Sequence, residues 1–175
     1  MKKTFALIII SCFFLGCGSS FQSFYNKHKN DIGATSFQVP NFMKAMLGVM
    51  NPEAKSIVGN LSDLKYIKLT NVQELRRGSI IEEMNAVTNS GFIDMFRKNE
   101  IAQTRIISVK ELGVVLTDVI LFNSRGSEIS AFYLKGRFDP EKIKALSDED
   151  TFDSFTTSLV QSYQTSLNPS FNPNQ

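Results

Sequence analysis

Cysteine is almost absent from this 175-residue chain, and its only two examples, Cys12 and Cys17, fall within the first 17 residues. The remainder can form no internal disulfide, so its stability has to come from a packed core. Tryptophan is missing and histidine occurs once, at His28. One histidine cannot supply a His/Cys zinc centre, and with no Gly-x-Ser-x-Gly elbow beside it there is no hydrolase triad. Next to Tyr25 on the apolar side of a helix, His28 fits a partly buried structural role. An excess of basic charge is lacking as well: 19 Lys plus Arg stand against 17 Asp plus Glu. Apart from the pair Arg76-Arg77, nothing could track a phosphate backbone, which argues against nucleic acid as a partner. No internal repeat is visible, and the length admits one domain with a Phe-rich core, since 15 Phe are present. No metal or cofactor is expected.

The chain also lacks an apolar run long enough to cross a membrane. Lys2 and Lys3 precede an apolar stretch from Phe5 to Leu15, the layout of a secretory signal. As a helix that stretch spans about 16 Å, roughly half of a hydrocarbon core. Its end, Phe14-Leu15-Gly16-Cys17, resembles a bacterial lipobox, with Phe14 where Leu is usual. The resemblance implies cleavage between Gly16 and Cys17 and acylation of Cys17. Ile9-Ile10-Ser11-Cys12 fits the letters better but leaves too short an apolar region. Gly18, with no Asp at that position, implies sorting to the outer membrane, and the absence of an acidic run after Cys17 favours its periplasmic side. Subtracting Lys2 and Lys3 from the 19 basic residues leaves 17, against 17 acidic ones, so the processed chain is near neutral. The expected organisation is a signal peptide over 1–16, a tether over 17–20, one domain over 21–165 and a disordered tail over 166–175.

Within the domain, Phe21, Phe24, Tyr25 and His28 share one face of a helix stopped near Gly33. Thr35 to Val39 reads as a strand. Asn41 caps a helix with the stripe Phe42, Met43, Met46, Leu47 and Met50, which Asn51-Pro52 restarts. Leu64 to Thr70 alternates as a strand. Ser79-Ile80-Ile81-Glu82 has the form of a capping box for a helix with the buried face Ile80, Ile81, Met84 and Val87, which Phe92, Ile93, Met95 and Phe96 continue after a break near Asn89-Ser90-Gly91. The period then changes to two over Thr104 to Val109, Val114 to Phe122 and Glu128 to Phe138, which predicts an antiparallel meander turning at Asn123-Ser124-Arg125-Gly126. Asp139 caps a short helix with Pro140 at its first position. A last helix begins near Thr151 with Phe152, Phe155, Leu159, Val160 and Tyr163 on one face.

This order of elements, with Tyr133-Leu134-Lys135-Gly136-Arg137-Phe138-Asp139-Pro140-Glu141-Lys142-Ile143-Lys144-Ala145-Leu146, resembles the bacterial envelope family called domain of unknown function 4252 over Phe21 to Leu146. Arg137 stands where an acidic or polar residue is commoner, and the segment after Ser147 is extra. The resemblance implies an α+β fold, here an antiparallel sheet of about five strands with helices packed mainly on one face, and carries no catalytic residues.

One carboxylate stands out. Asp118 interrupts the apolar run from Val114 to Phe122, and a lone buried carboxylate is costly unless paired. Arg105 or Lys135 on a neighbouring strand is the expected partner, or a bulge turns Asp118 to water. The acidic cluster Ser147-Asp148-Glu149-Asp150-Thr151-Phe152-Asp153 lacks the Gly and closing Glu of a calcium loop and suits a helix start. The residues thus name a lipid attachment site, Cys17, and no catalytic site. They leave three classes: a membrane-anchored, non-enzymatic binding or structural module with an envelope protein as partner class; an enzyme built on a carboxylate such as Asp118; and a lipid-handling module using the Phe42 to Met50 stripe or the Phe152 to Tyr163 helix.

Overall fold

The β-rich segments from residue 103 onward form the centre of a sheet. A computed structural model of the chain describes residues 19–39, 55–57 and 61–167. Its elements in order are α1 (Phe21–His28), β1 (Ala34–Val39), β2 (Asp63–Leu69), α2 (Glu74–Thr88), β3 (Ile93–Asn99), β4 (Gln103–Leu112), β5 (Val115–Arg125), β6 (Glu128–Phe138), α3 (Pro140–Ala145) and α4 (Glu149–Leu167). The six strands form one sheet in the order β1-β2-β6-β5-β4-β3, and every pairing is antiparallel. The meander expected from the sequence is β4-β5-β6, and β6 then closes on β2.

The fold is α+β with an antiparallel sheet, of six strands where about five are expected. The helices divide between the two faces instead of gathering on one. Phe21, Phe24 and Tyr25 of α1 and Ile80, Met84 and Val87 of α2 pack with Ile67, Ile106, Ile120 and Phe122. On the other face Ile143 of α3 and Phe152, Phe155 and Leu159 of α4 pack with Tyr66, Ile107, Leu121, Phe132 and Leu134. The cause is in the central strands: β5 and β6 place apolar side chains alternately on both sides, so each side has to be covered. The Phe152 to Tyr163 stripe therefore lies against the sheet, with the Tyr163 ring stacked on Phe37 at 3.8 Å, and that side of α4 is closed to lipid. The Phe42 to Met50 stripe lies outside the described residues.

Two further expectations are corrected. α2 begins at Glu74, five residues before the capping box, and Gln73 supplies no side-chain cap. Its polar first turn shows no apolar period because it is held by tertiary bonds: Arg76 reaches Asp31 at 2.5 Å and Arg77 the Ile101 carbonyl at 2.9 Å. Residues 93–99 are a strand, not a helical continuation. Gly91, at a φ of +92°, reverses the chain after α2, and a register shift between Asp94 and Phe96 breaks the period-two pattern of this edge strand. The helix starts at the C-terminal end match expectation: Asp139 accepts from the Glu141 amide at 3.0 Å, and Asp148 accepts from the Thr151 amide at 2.9 Å and its hydroxyl at 2.8 Å.

Candidate functional site

Gly16 and Cys17 lie outside the described residues. The description opens at Ser19, whose carbonyl accepts from the Ser90 hydroxyl at 2.6 Å, and Ser20 caps α1 by accepting from the Ser23 amide at 3.1 Å. The chain is thus fixed to the body of the domain from Ser19 onward, at the end of the sheet that carries Asp118.

There a pocket of about 330 Å³ is lined by Ser20, Phe21, Phe92, Lys110, Asp118, Tyr133 and Lys135, with Asp63 and Lys65 at its side. Strand register makes it. Asp63 of β2 lies opposite Lys135 of β6, Lys135 opposite Asp118 of β5, and Asp118 opposite Lys110 of β4, so a row of alternating charge crosses four strands. The expected partners of Asp118 are not the ones found. Arg105 is on the opposite face of the sheet, and Lys135, though its register neighbour, forms no ion pair within 4 Å among the described residues. Asp118 instead accepts from the Tyr133 hydroxyl at 2.5 Å and the Thr117 hydroxyl at 2.7 Å. A bulge between Leu116 and Asp118 sends Leu116 to the other core and leaves Asp118 half-buried. Burial, and then the hydrogen bond to Asp118 and its charge, push the Tyr133 phenol well above its ordinary value. The phenol is a held donor, not a base. Lys65 pairs with Asp63 and lies 5.2 Å from the Tyr133 ring centre.

The other end of the sheet, on its α4 face, carries a groove of about 590 Å³. Its floor is a polar row, Thr35 of β1, Lys68 of β2, Ser130 of β6 and Asn123 of β5, in register. Its wall is α4, through Thr156, Thr157, Gln161 and Gln164. Two residues further along each strand the corresponding row is apolar, Phe37, Tyr66, Phe132 and Leu121, so the groove begins where the core under α4 stops. Lys68 pairs with Glu128 at 2.9 Å. Burial, reinforced by the charge of Glu128, raises the Tyr66 phenol to about 12. The arrangement offers hydroxyls and amides for hydrogen bonding together with the charged side chains of Lys68, Arg125, Glu128 and Asp153. None of these residues stands out in a linear reading, because each is an ordinary outward polar position of a strand or helix; only the register brings them together.

Arg105 continues the same row on β4. It is buried between the rings of Phe96 and Phe152, at 4.8 and 5.5 Å from their centres, and donates to the Ser147 carbonyl at 2.8 Å. Its Nε and Nη1 have no partner. His28 is buried, with Nδ1 2.7 Å from Asp31 and Nε2 2.9 Å from Glu83, and so ties α1 to α2 as a structural residue. Burial pushes the Glu83 carboxyl up, but the hydrogen bonds from Lys27 and His28 outweigh it and hold it below its ordinary value. Among the described residues no three His, Cys, Asp or Glu side chains are grouped to hold a metal ion, and no helix is long and apolar enough to cross a membrane.

The family described as Domain of unknown function (DUF4252) matches residues 25–146, more than two thirds of the chain. The chain belongs to this family. The match takes in the whole sheet and both pockets' strands, and it stops before α4, the wall of the groove. Neither the curated proteins nor the solved structures give a match.

Proposed function

We propose that this member of the DUF4252 family is an envelope lipoprotein, cleaved after Gly16, acylated at Cys17 and held at the periplasmic side of the outer membrane, whose domain works by binding and not by catalysis. The observation that carries the binding reading is the groove between α4 and the polar row Thr35, Lys68, Ser130 and Asn123. It opens at the far end of the sheet from Ser19, where a tethered domain can meet a partner. Its lining of hydroxyls, amides and charges of both signs suits an extended peptide segment of an envelope protein. The anchor reading rests on the sequence from Lys2 to Cys17; three acyl chains, at about 0.8 kcal/mol per buried methylene, make attachment effectively irreversible.

The tests are separate. Cys17→Ala should abolish acyl labelling and release the chain from the membrane fraction; a variant still labelled and membrane-bound refutes the anchor. A photo-crosslinking residue in place of Gln161 should capture a discrete partner in cells, and Ser130→Arg, which fills the groove, should abolish that product while Leu75→Arg does not. A product indifferent to Ser130→Arg refutes groove binding. The second reading, an enzyme at Asp118, is favoured by the convergence of Asp118, Tyr133, Lys110 and Lys135 on one pocket; under the first reading Asp118→Asn leaves the crosslink unchanged.

A further inference from the structure

We propose that the end of the domain where the chain enters docks on the lipid bilayer: the β4–β5 hairpin tip and Ile93 insert into the interfacial layer, and Lys110 and Lys135 meet anionic headgroups. This rests on the anchor at Cys17. Ser19 is bonded to Ser90, and two residues of chain reach at most about 7 Å, so an acylated Cys17 holds this end of the domain against the membrane surface. The end is built accordingly. Leu112 and Val114 flank Gly113 in the hairpin turn and are 73% and 90% exposed, and Ile93, on the next strand, is 58% exposed. Gly113, at a φ of +66°, lets the turn project two apolar side chains without burying either.

The charges behind the tip complete the surface. Lys110 lies over the Phe92 ring at 4.5 Å and Lys135 is exposed; neither has an ion-pair partner within 4 Å among the described residues. Asp63 is paired with Lys65, Asp94 is paired with Arg97 and Asp139 caps α3; Lys110 and Lys135 carry no such pairing and flank the carboxylate of Asp118, which is hydrogen-bonded by Tyr133, while Glu111 is an exposed carboxylate in the hairpin itself. Basic residues near an anionic surface each add to attraction. Three apolar side chains would not hold a free domain to a bilayer. Beside a lipid anchor they need not, because tethering makes the contact intramolecular, and the outcome is orientation. Three other exposed apolar residues, Ile32, Leu75 and Ile101, sit at the opposite end near Arg76 and Arg77 and provide a control.

The full chain is expressed with Val114→Cys, Leu112→Cys or Leu75→Cys, labelled with an environment-sensitive maleimide and reconstituted in phosphatidylethanolamine–phosphatidylglycerol vesicles. Acylated Cys17 takes no maleimide and Cys12 leaves with the signal peptide, so each variant carries one label. Labels at 112 and 114 should be quenched several times more strongly by lipid-borne nitroxide than by aqueous iodide, and the label at 75 the reverse. The pair Lys110→Glu with Lys135→Glu should reduce nitroxide quenching at 114. Equal quenching at both ends, or protection at 114 from both quenchers as a protein contact would give, overturns docking while an unlabelled parent chain shows the anchor intact. A parent chain that takes label at Cys17 overturns both readings.

Discussion

Arg105 is a buried cation that forms no ion pair within 4 Å among the described residues, although its charge acts on the neighbouring Asp148. In its favour are one charged hydrogen bond, to the Ser147 carbonyl at 2.8 Å, of about 1.5–3 kcal/mol, and two ring contacts, with Phe96 and Phe152, of about 1 kcal/mol each. Against it are Nε and Nη1, which have no partner and cost about 1–3 kcal/mol each, besides the desolvation of the ion. The favourable terms, about 3.5–5 kcal/mol together, do not exceed the unfavourable ones once desolvation is included, so the guanidinium adds no net stability. Arg105→Met keeps the stem volume and puts a sulfur between the two rings, so stability should stay within about 1 kcal/mol of the parent. Arg105→Ala opens a cavity between Phe96, Phe152 and β4 and should cost about 2–4 kcal/mol. Urea unfolding followed by far-ultraviolet circular dichroism measures both, at unchanged slope, and about 1 kcal/mol appears as roughly 2–4 °C in Tm. A methionine variant as unstable as the alanine one refutes the reasoning, because the guanidinium charge would then be worth far more than its visible partners give.

Two other perturbations follow from single contacts. Gly33 has a φ of +80°, and a Cβ there would come within 2.9 Å of the Thr70 carbonyl oxygen; Gly33→Ala should therefore lower stability by about 1–3 kcal/mol, read as a fall in Tm, and an unchanged Tm would show that the β1–β2 end can shift without cost. Glu83 and Asp94 both titrate below their ordinary values of 4.5 and 3.8, in each case because hydrogen bonds (from Lys27 and His28, and from Arg97 and Ser108) outweigh burial. The unfolded chain then binds more protons than the folded one in acid, so the stability they add is full above about pH 5 and is lost as pH falls through and below the ordinary carboxyl range. Glu83→Gln should flatten part of that acid limb in Tm against pH, and an identical limb refutes the assignment.

The regions legible in the sequence are those where period and cap agree. β4, β5 and β6 are apolar, β-rich runs of ten or eleven residues, and Asp139-Pro140 marks α3 by capping chemistry alone. β3 was hidden because an edge strand with a bulge loses its alternation, and its Phe96 and Met95 mimic a helix face. The first turn of α2 was hidden because Arg76 and Arg77 hold it through Asp31 and Ile101, contacts that no local pattern encodes. Asp118 was visible as an anomaly, yet its partner Tyr133 was not: choosing between Tyr133, Lys135 and Arg105 requires the β5–β6 register and the bulge beside Leu116. The groove was invisible for the same reason, since Thr35, Lys68, Ser130 and Asn123 become neighbours only across four paired strands.

Strand geometry also sets how the two ends relate. Ser130, in the groove floor, and Lys135, in the proposed docking surface, are five residues apart on β6 and on opposite faces of the sheet, a separation of about 17 Å along the strand. A bilayer's interfacial layer is only about 5–8 Å deep on each side of the hydrocarbon core. In the docked orientation the groove therefore clears the headgroups and opens sideways and upward, within reach of a second macromolecule. A two-residue link through Gly18 alone would fix the height of the domain but leave its tilt free. Contacts at Leu112, Val114 and Ile93, set to one side of Ser19, supply the second and third points that define a plane, and that is what makes a groove on one face of one end a directed site.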